Sequence, residues 1–185
     1  SSITRDTEVF GVAGNPISHS ASPDIHNAAI RAFGTDAVYV KFLVDDMSSF
    51  IGYFRRAGYC GLSVTIPHKV AVMDSLDDID RVSRKAGAVN TVFFKQGKLT
   101  GTNTDIRAAV DRLSELAGGL KGRRVTVCGA GGVARGICFG LKDEEAEILI
   151  VNRTVEKARR LAGEIGCRFS GYDSFTGEDT GILVN

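Results

Sequence analysis

A chain of 185 residues has room for one large domain or two small ones, and at 43% hydrophobic and 24% charged it is composed like an ordinary globular protein. A net charge of +1 argues against nucleic acid or an anionic membrane surface as an electrostatically held partner, and no apolar run reaches transmembrane length. Cys60, Cys128, Cys138 and Cys167 include no C-x-x-C pair and the three histidines none at i, i+4, so neither a disulfide framework nor a metal site is expected.

The first eight residues, SSITRDTE, are polar and read as a tail or linker. Val9 to Ala13 is a short apolar strand that enters the turn signal Gly14-Asn15-Pro16. Ser22-Pro23-Asp24 has the form of a helix start, with Ser22 as N-cap, and the helix runs through Ile25, Ala29, Ala32 and Phe33 to Gly34. A strand from Ala37 to Val44, a helix from Met47 to Ala57 and a strand from Leu62 to Ile66 follow. Pro67-His68-Lys69 then leads into a further helix. This alternation predicts a mainly parallel sheet, with ligands beyond the carboxyl ends of its strands. Three polar clusters fall at such ends: Ser18 to Ser22, Thr65 to Lys69, and Asn103-Thr104-Asp105. Their hydroxyls, amides and one Lys/Asp pair suit a small polyhydroxylated substrate better than a metal. Each alone could merely cap a helix. Ala88 to Gln96 and Lys98 to Thr102 read as a hairpin turning at Gln96-Gly97. An amphipathic helix from Asp105 to Gly118-Gly119 reads as the connector to a second domain.

That second domain opens on RRVTVCGAGGVARG. A buried strand, Val125 to Gly129, runs into Gly129-Ala130-Gly131-Gly132 and then into a helix through Val133, Ile137, Cys138 and Leu141. Strand, glycine turn and helix form the geometry in which backbone N–H groups hold a pyrophosphate. Gly129 permits the turn, Gly131 admits the phosphates, and Ala134 fills the third small position. A second strand, Glu147 to Val151, ends where a ribose-recognition residue is expected. An acid there would suit NAD. Asn152-Arg153-Thr154, with Lys157 and Arg159 behind it, suits a 2′-phosphate, so NADP(H) is the expected cofactor. A solvated basic helix start would account for the same cations.

GNPISHSASPDIHN, SVTIPHK, AGAVNT, GTNTD, GAGGVAR and VNRT, in this order, resemble the shikimate dehydrogenase family from about Val9 to Asn185. The resemblance implies NADP(H)-dependent, reversible reduction of 3-dehydroshikimate to shikimate in aromatic amino-acid biosynthesis. The fold expected is α/β: an N-terminal α/β substrate and catalytic domain over 9–104, a connecting helix over 105–119, and a Rossmann-like NADP-binding domain over 120–185. Lys69 matches the family's catalytic lysine and Asp105 the aspartate paired with it. Ser20 and Ser22 match contacts to the substrate carboxylate, and Thr65 and Asn90 match contacts around the ring hydroxyls. Gly129, Ala130, Gly131, Gly132, Val133 and Arg135 match the cofactor loop, and Asn152, Arg153 and Thr154 the 2′-phosphate site. Lys157 stands where the family often has a second arginine, keeping the charge without the bidentate fork. Ser63 stands at another substrate contact, where many members have Asn.

The resemblance also carries expectations about the parent protein. Ile182 to Asn185 looks like the fourth Rossmann strand and the start of the next loop, so the chain reads as truncated there. Its opening resembles the junction in proteins with an upstream dehydroquinate dehydratase. A cytoplasmic location, a small-molecule substrate and a homodimer fit this reading. A quinate/shikimate dehydrogenase and a non-catalytic sensing module on the same fold are the alternatives. The second has little reason to keep both Lys69 and Asp105.

Overall fold

The computed structural model describes residues 3–177 and 180–185, and the chain divides into two compact units. The first comprises residues 1–80 and 88–103, the second residues 81–87 and 104–185.

In the first unit, β1 (Glu8–Gly14), α1 (Ser22–Phe33), β2 (Ala37–Leu43), α2 (Met47–Arg56) and β3 (Gly61–Val64) alternate as the sequence predicts. A two-residue strand, β4 (Asp78–Ile79), precedes the hairpin of β5 (Thr91–Lys95) and β6 (Lys98–Thr102). The sheet order is β2-β1-β3-β5-β6-β4. β1 is parallel to β2 and β3, and β4 to β6, while β5 runs antiparallel to both its neighbours. The hairpin therefore makes the sheet mixed, and it returns β6 to the direction of β1 and β3. Gln96 and Gly97 both have positive φ, 51° and 76°, the mirror-image turn whose twist matches a two-residue hairpin.

Two cores sandwich this sheet. On one face α2 buries Met47, Ile51 and Phe54 against Leu62, Val64, Val72, Val92 and Leu99. Asp46 caps α2 by accepting from the Ser48 and Ser49 N–H groups, and the Ser49 side chain, followed by these N–H groups, holds its carboxyl below the usual carboxylate range. On the other face Val12, Ile17 and Tyr39 cluster with Phe10 and Ile30.

Several elements depart from expectation. The N-cap of α1 is Ala21, not Ser22, because the Ser22 hydroxyl accepts from Ser20 instead. The apolar stripe of α1 faces outward, Ile25 at 67% and Phe33 at 85% exposed. The inward side is set by Asn27, whose amide donates to the Tyr39 carbonyl and accepts from the Tyr39 N–H. Gly34 ends α1 in the left-handed region as predicted. The helix expected after Lys69 is a five-residue 3-10 turn, Ala71–Ser75. It stops because Asp77, two residues on, is taken by the Arg55 guanidinium at 2.8 and 3.0 Å and by the Leu99 N–H at 2.7 Å. The same bonds depress the Asp77 pKa.

The second unit is built on a parallel sheet of order β10-β7-β8-β9, from β7 (Arg124–Cys128), β8 (Glu147–Val151), β9 (Arg168–Ser170) and β10 (Ile182–Val184). In chain order this is 4-1-2-3, the strand order of a dinucleotide-binding half, with β10 as the expected fourth strand. Helices α4 (Thr104–Ala117), α5 (Gly132–Asp143) and α6 (Val155–Ile165) pack with it around Val125, Val127, Ile148, Ile150, Cys138 and Leu161. Burial pushes the Cys138 thiol up to about 12, with Cys167 nearby adding to the shift, so this thiol stays protonated at neutral pH. Two assignments change. The helix read as a connector, α4, belongs to this unit, and so does an unforeseen helix, α3 (Arg81–Ala86), which the sequence reading placed inside the first domain.

Candidate functional site

Because β1, β3 and β6 point one way, the loops after β1 and β3 open at one edge of the first sheet. The N-terminus of β5 reaches the same edge from the opposite direction. This brings Ser20 and Ser22, Ser63 and Thr65, Lys69, and Asn90 to one end of the first unit.

Backbone bonds fix the loops. The Thr65 N–H donates to the Ala13 carbonyl at 3.0 Å and the Asn15 N–H to Ile66 at 3.1 Å. Gly14 is needed there, because a Cβ would stand 3.1 Å from the Ile66 carbonyl oxygen and closer still to the Thr65 methyl. The Val64 N–H donates to Asn90 at 2.8 Å, and the Val89 N–H donates to the Lys69 carbonyl at 2.8 Å. His68 is buried, and its ring Nε2 lies 2.7 Å from the Val44 carbonyl oxygen. The lysine is thus held at its main chain from both sides, while its side chain is half-buried. Asn90 is nearly buried, and its Oδ1 accepts from the Thr91 hydroxyl at 2.9 Å.

Ser63 carries a partner that the sequence reading missed. The Tyr39 hydroxyl donates to Ser63 Oγ at 2.7 Å, and the phenol is itself only 6% exposed. His26 stacks on the Tyr39 ring with centroids 4.2 Å apart, beside the two Asn27 bonds. Burial raises the Tyr39 pKa, so the phenol remains a donor at neutral pH. The signal is the His26-Asn27 end of the first motif, on α1, whose partner Tyr39 lies on β2. Tyr39→Phe is expected to cost about 1 kcal/mol in chemical denaturation, the net worth of one such hydrogen bond. A loss below a few tenths would show that Ser63 finds water equally well.

In the second unit Asp105 is exposed in the first turn of α4. Gly129 has φ +120° and donates its N–H to Val151 at 2.8 Å, a backbone shape that suits glycine alone. Gly131 is the extended N-cap of α5, and no side chain caps that helix. Among the described residues nothing lies within 4 Å of where its Cβ would stand. Gly131, Gly132 and Val133 are exposed, so the turn that opens α5 is at the surface with the positive end of a 12-residue helix behind it. Ala130 packs against the core, and Val133 is exposed beside the turn. This donor set fits a pyrophosphate. At the end of β8, the Asn152 amide donates to the Thr154 carbonyl at 2.9 Å, and Arg153, Thr154 and Lys157 are exposed. Thr154 is the N-cap of α6 but makes no side-chain cap. Arg159 differs from expectation, because Glu156 binds it at 2.8 Å and offsets its charge. Arg135 lies one turn into α5, with its guanidinium turned to the Lys85 carbonyl and to Glu164.

Comparison with known proteins agrees with both halves. Residues 12–92 match the shikimate dehydrogenase substrate binding domain and residues 111–177 the shikimate/quinate 5-dehydrogenase family. A shikimate dehydrogenase (NADP(+)) of Methanocaldococcus jannaschii is 41% identical over 196 residues, covering 99% of this chain and 68% of that protein. The chain belongs to the shikimate dehydrogenase family. A bifunctional 3-dehydroquinate dehydratase/shikimate dehydrogenase of Arabidopsis thaliana chloroplasts is 35% identical over 201 residues, covering 99% of this chain but 33% of its own length. Among solved structures, a shikimate dehydrogenase in complex with NADP+ superposes with a TM-score of 0.85 at 39% identity, over 99% of this chain and 67% of that one. The chain thus spans a third to about two thirds of the length of these family members.

Proposed function

We propose that this chain carries the substrate and cofactor sites of an NADP(H)-dependent shikimate dehydrogenase, interconverting 3-dehydroshikimate and shikimate. The observation that supports it best is the gathering of Ser20, Ser22, Ser63, Thr65, Lys69 and Asn90 at one sheet edge, in a chain whose second unit has an uncapped glycine turn. Hydroxyls and an amide beside Lys69, with the Lys41 ammonium bonded to the Ser18 carbonyl at 2.6 Å, match a small carboxylate that bears several hydroxyls.

The first unit takes the hydroxy acid. Ser20 and Ser22, linked at 3.2 Å, offer hydroxyls to its carboxylate, while Thr65, Asn90 and the Tyr39-supported Ser63 read its ring hydroxyls. The second unit takes the dinucleotide, with the backbone of Gly129 to Val133 at its pyrophosphate. Arg153, Thr154, Asn152 and Lys157 hold its 2′-phosphate. When bound, the nicotinamide supplies the hydride for ketone reduction and accepts it in the reverse direction. The Lys69 ammonium stabilises negative charge growing on the carbonyl oxygen and delivers the proton that completes the alcohol. In alcohol oxidation the same amine takes that proton back. Asp105 matches the carboxylate that the family uses in this acid–base chemistry. The kinship with the bifunctional Arabidopsis protein supports, in the same way, a dehydratase domain joined upstream in the parent protein. The reading further includes a homodimer and a cytoplasmic location.

The test is NADP+ reduction by this chain with shikimate, with quinate and NAD+ as comparators and calorimetric binding of each ligand alongside. Turnover or binding selective for shikimate and NADP+ supports the reading. Absence of binding by both would overturn it. Arg153→Ala is expected to weaken NADP+ by at least about tenfold and NAD+ little, since a charge-assisted phosphate contact is lost. Equal losses for the two cofactors would remove Arg153 from 2′-phosphate recognition.

A further inference from the structure

We propose that Arg135 is a positioning residue that straps helix α3 to helix α5, and not a ligand of the bound dinucleotide. The proposal rests on reading the second unit as the dinucleotide-binding unit, in which the first turn of α5 faces the phosphates.

The guanidinium has three partners inside this unit. Its Nε–H donates to the Lys85 carbonyl oxygen at 2.6 Å, at the end of α3. Its terminal nitrogen pairs with the Glu164 carboxylate on α6. Its plane lies over the Phe139 ring, 5.5 Å from the centroid, and the Lys85 ammonium approaches the same ring at 5.2 Å. The Arg135 hydrogen bond holds the Glu164 carboxyl below the usual range. A side chain so engaged has its planar fork committed to protein groups.

The strap acts on a close helix contact. Gly136, the next residue of α5, has no room for a side chain: a Cβ would collide with Ile106 and stand 3.0 Å from the Ala86 Cβ. At the other end of α3, Arg81 pairs with Asp143, near the C-terminus of α5. α3 is therefore pinned antiparallel to α5 at both ends, although it has only six residues and could not persist alone. Beyond Gly87, at φ +73°, the chain passes directly into Val89, which holds the Lys69 carbonyl, and Asn90. Arg135 thus fixes where the segment carrying Asn90 leaves the second unit.

The test uses Arg135→Lys, Arg135→Ala, Glu164→Gln and the double variant R135A/E164Q. Lysine keeps the charge a phosphate would need but lacks the in-plane Nε–H and the fork. In Arg135→Lys and Arg135→Ala, amide hydrogens of 83–87 are expected to exchange at least about tenfold faster, with NADP+ dissociation constants within about twofold of the parent chain. The shikimate KM is expected to rise several-fold while the NADP+ KM holds. Glu164→Gln should reproduce part of the exchange change, and the double variant should add little to Arg135→Ala. Unchanged exchange of 83–87 in both Arg135 variants, or a tenfold weaker NADP+ with normal shikimate KM, overturns the proposal. If the parent chain binds no dinucleotide, the function proposed above fails, and the exchange data alone still decide for or against the strap.

Discussion

Lys69→Ala is expected to lower the turnover number by about a hundredfold to ten-thousandfold, with shikimate KM within a few-fold, because the proposed proton donor is lost and the loop that carries it is not. The loop's geometry depends on main-chain groups: Val89 donates to the Lys69 carbonyl, His68 to Thr65, and Thr65 to Ala13. None of these involves the Lys69 side chain. The substrate contacts proposed for Ser20, Ser22, Thr65 and Asn90 should survive, which separates the loss in turnover from a loss in binding. The measurement is steady-state kinetics in both directions. A variant with normal turnover and a raised KM would make Lys69 a binding residue and leave the proton donor to be found elsewhere.

Phe54→Ala is expected to cost about 3–5 kcal/mol and to lower the melting temperature by roughly 15 °C or more. Phe54 is 0% exposed on α2 and touches three other rings, with centroids 6.4 Å from Phe50, 5.7 Å from Tyr59 and 6.4 Å from Phe94. Phe94 sits on β5, so the cavity would open between α2 and the sheet whose strands β3 and β5 adjoin Thr65 and Asn90. Close-packed surroundings of this kind collapse only partly around a deleted ring. Tyr53→Ala, one residue earlier at a half-exposed ring, is the control, with a smaller loss. If chemical denaturation gave under about 1 kcal/mol for Phe54→Ala, the aromatic cluster would not be what holds the first unit together.

Most of the candidate site was legible in the chain because its signals are local. Gly129 with positive φ, the Gln96-Gly97 turn, the Gly34 helix end and the strand at Glu147 to Val151 are each set by a few neighbouring residues. Backbone sterics and alternation of apolar residues act over that range, so sequence order suffices to place Ser20, Thr65, Lys69 and the glycine turn at strand ends. The motifs also carried the family, since several of them in fixed order constrain far more than any one.

What escaped depends on pairs far apart in the chain. Asp77 stops the helix expected after Lys69 only because Arg55 and the β6 backbone converge on it, 22 residues away in either direction. Tyr39 meets Ser63 across two strands, 24 residues apart, and no periodicity marks a buried phenol as the partner of one serine. The same holds for α3. Its sequence sits among residues of the first unit, yet Ala86 packs against Gly136 and Lys85 binds Arg135, 50 residues on. By itself the sequence determined the strands and helices that carry the motifs, the glycine turn and the family. Only the tertiary structure decided which unit α3 joins, which side of α1 faces inward and what Arg135 holds, because burial and hydrogen-bond pairing are settled between surfaces that meet only after the chain has folded.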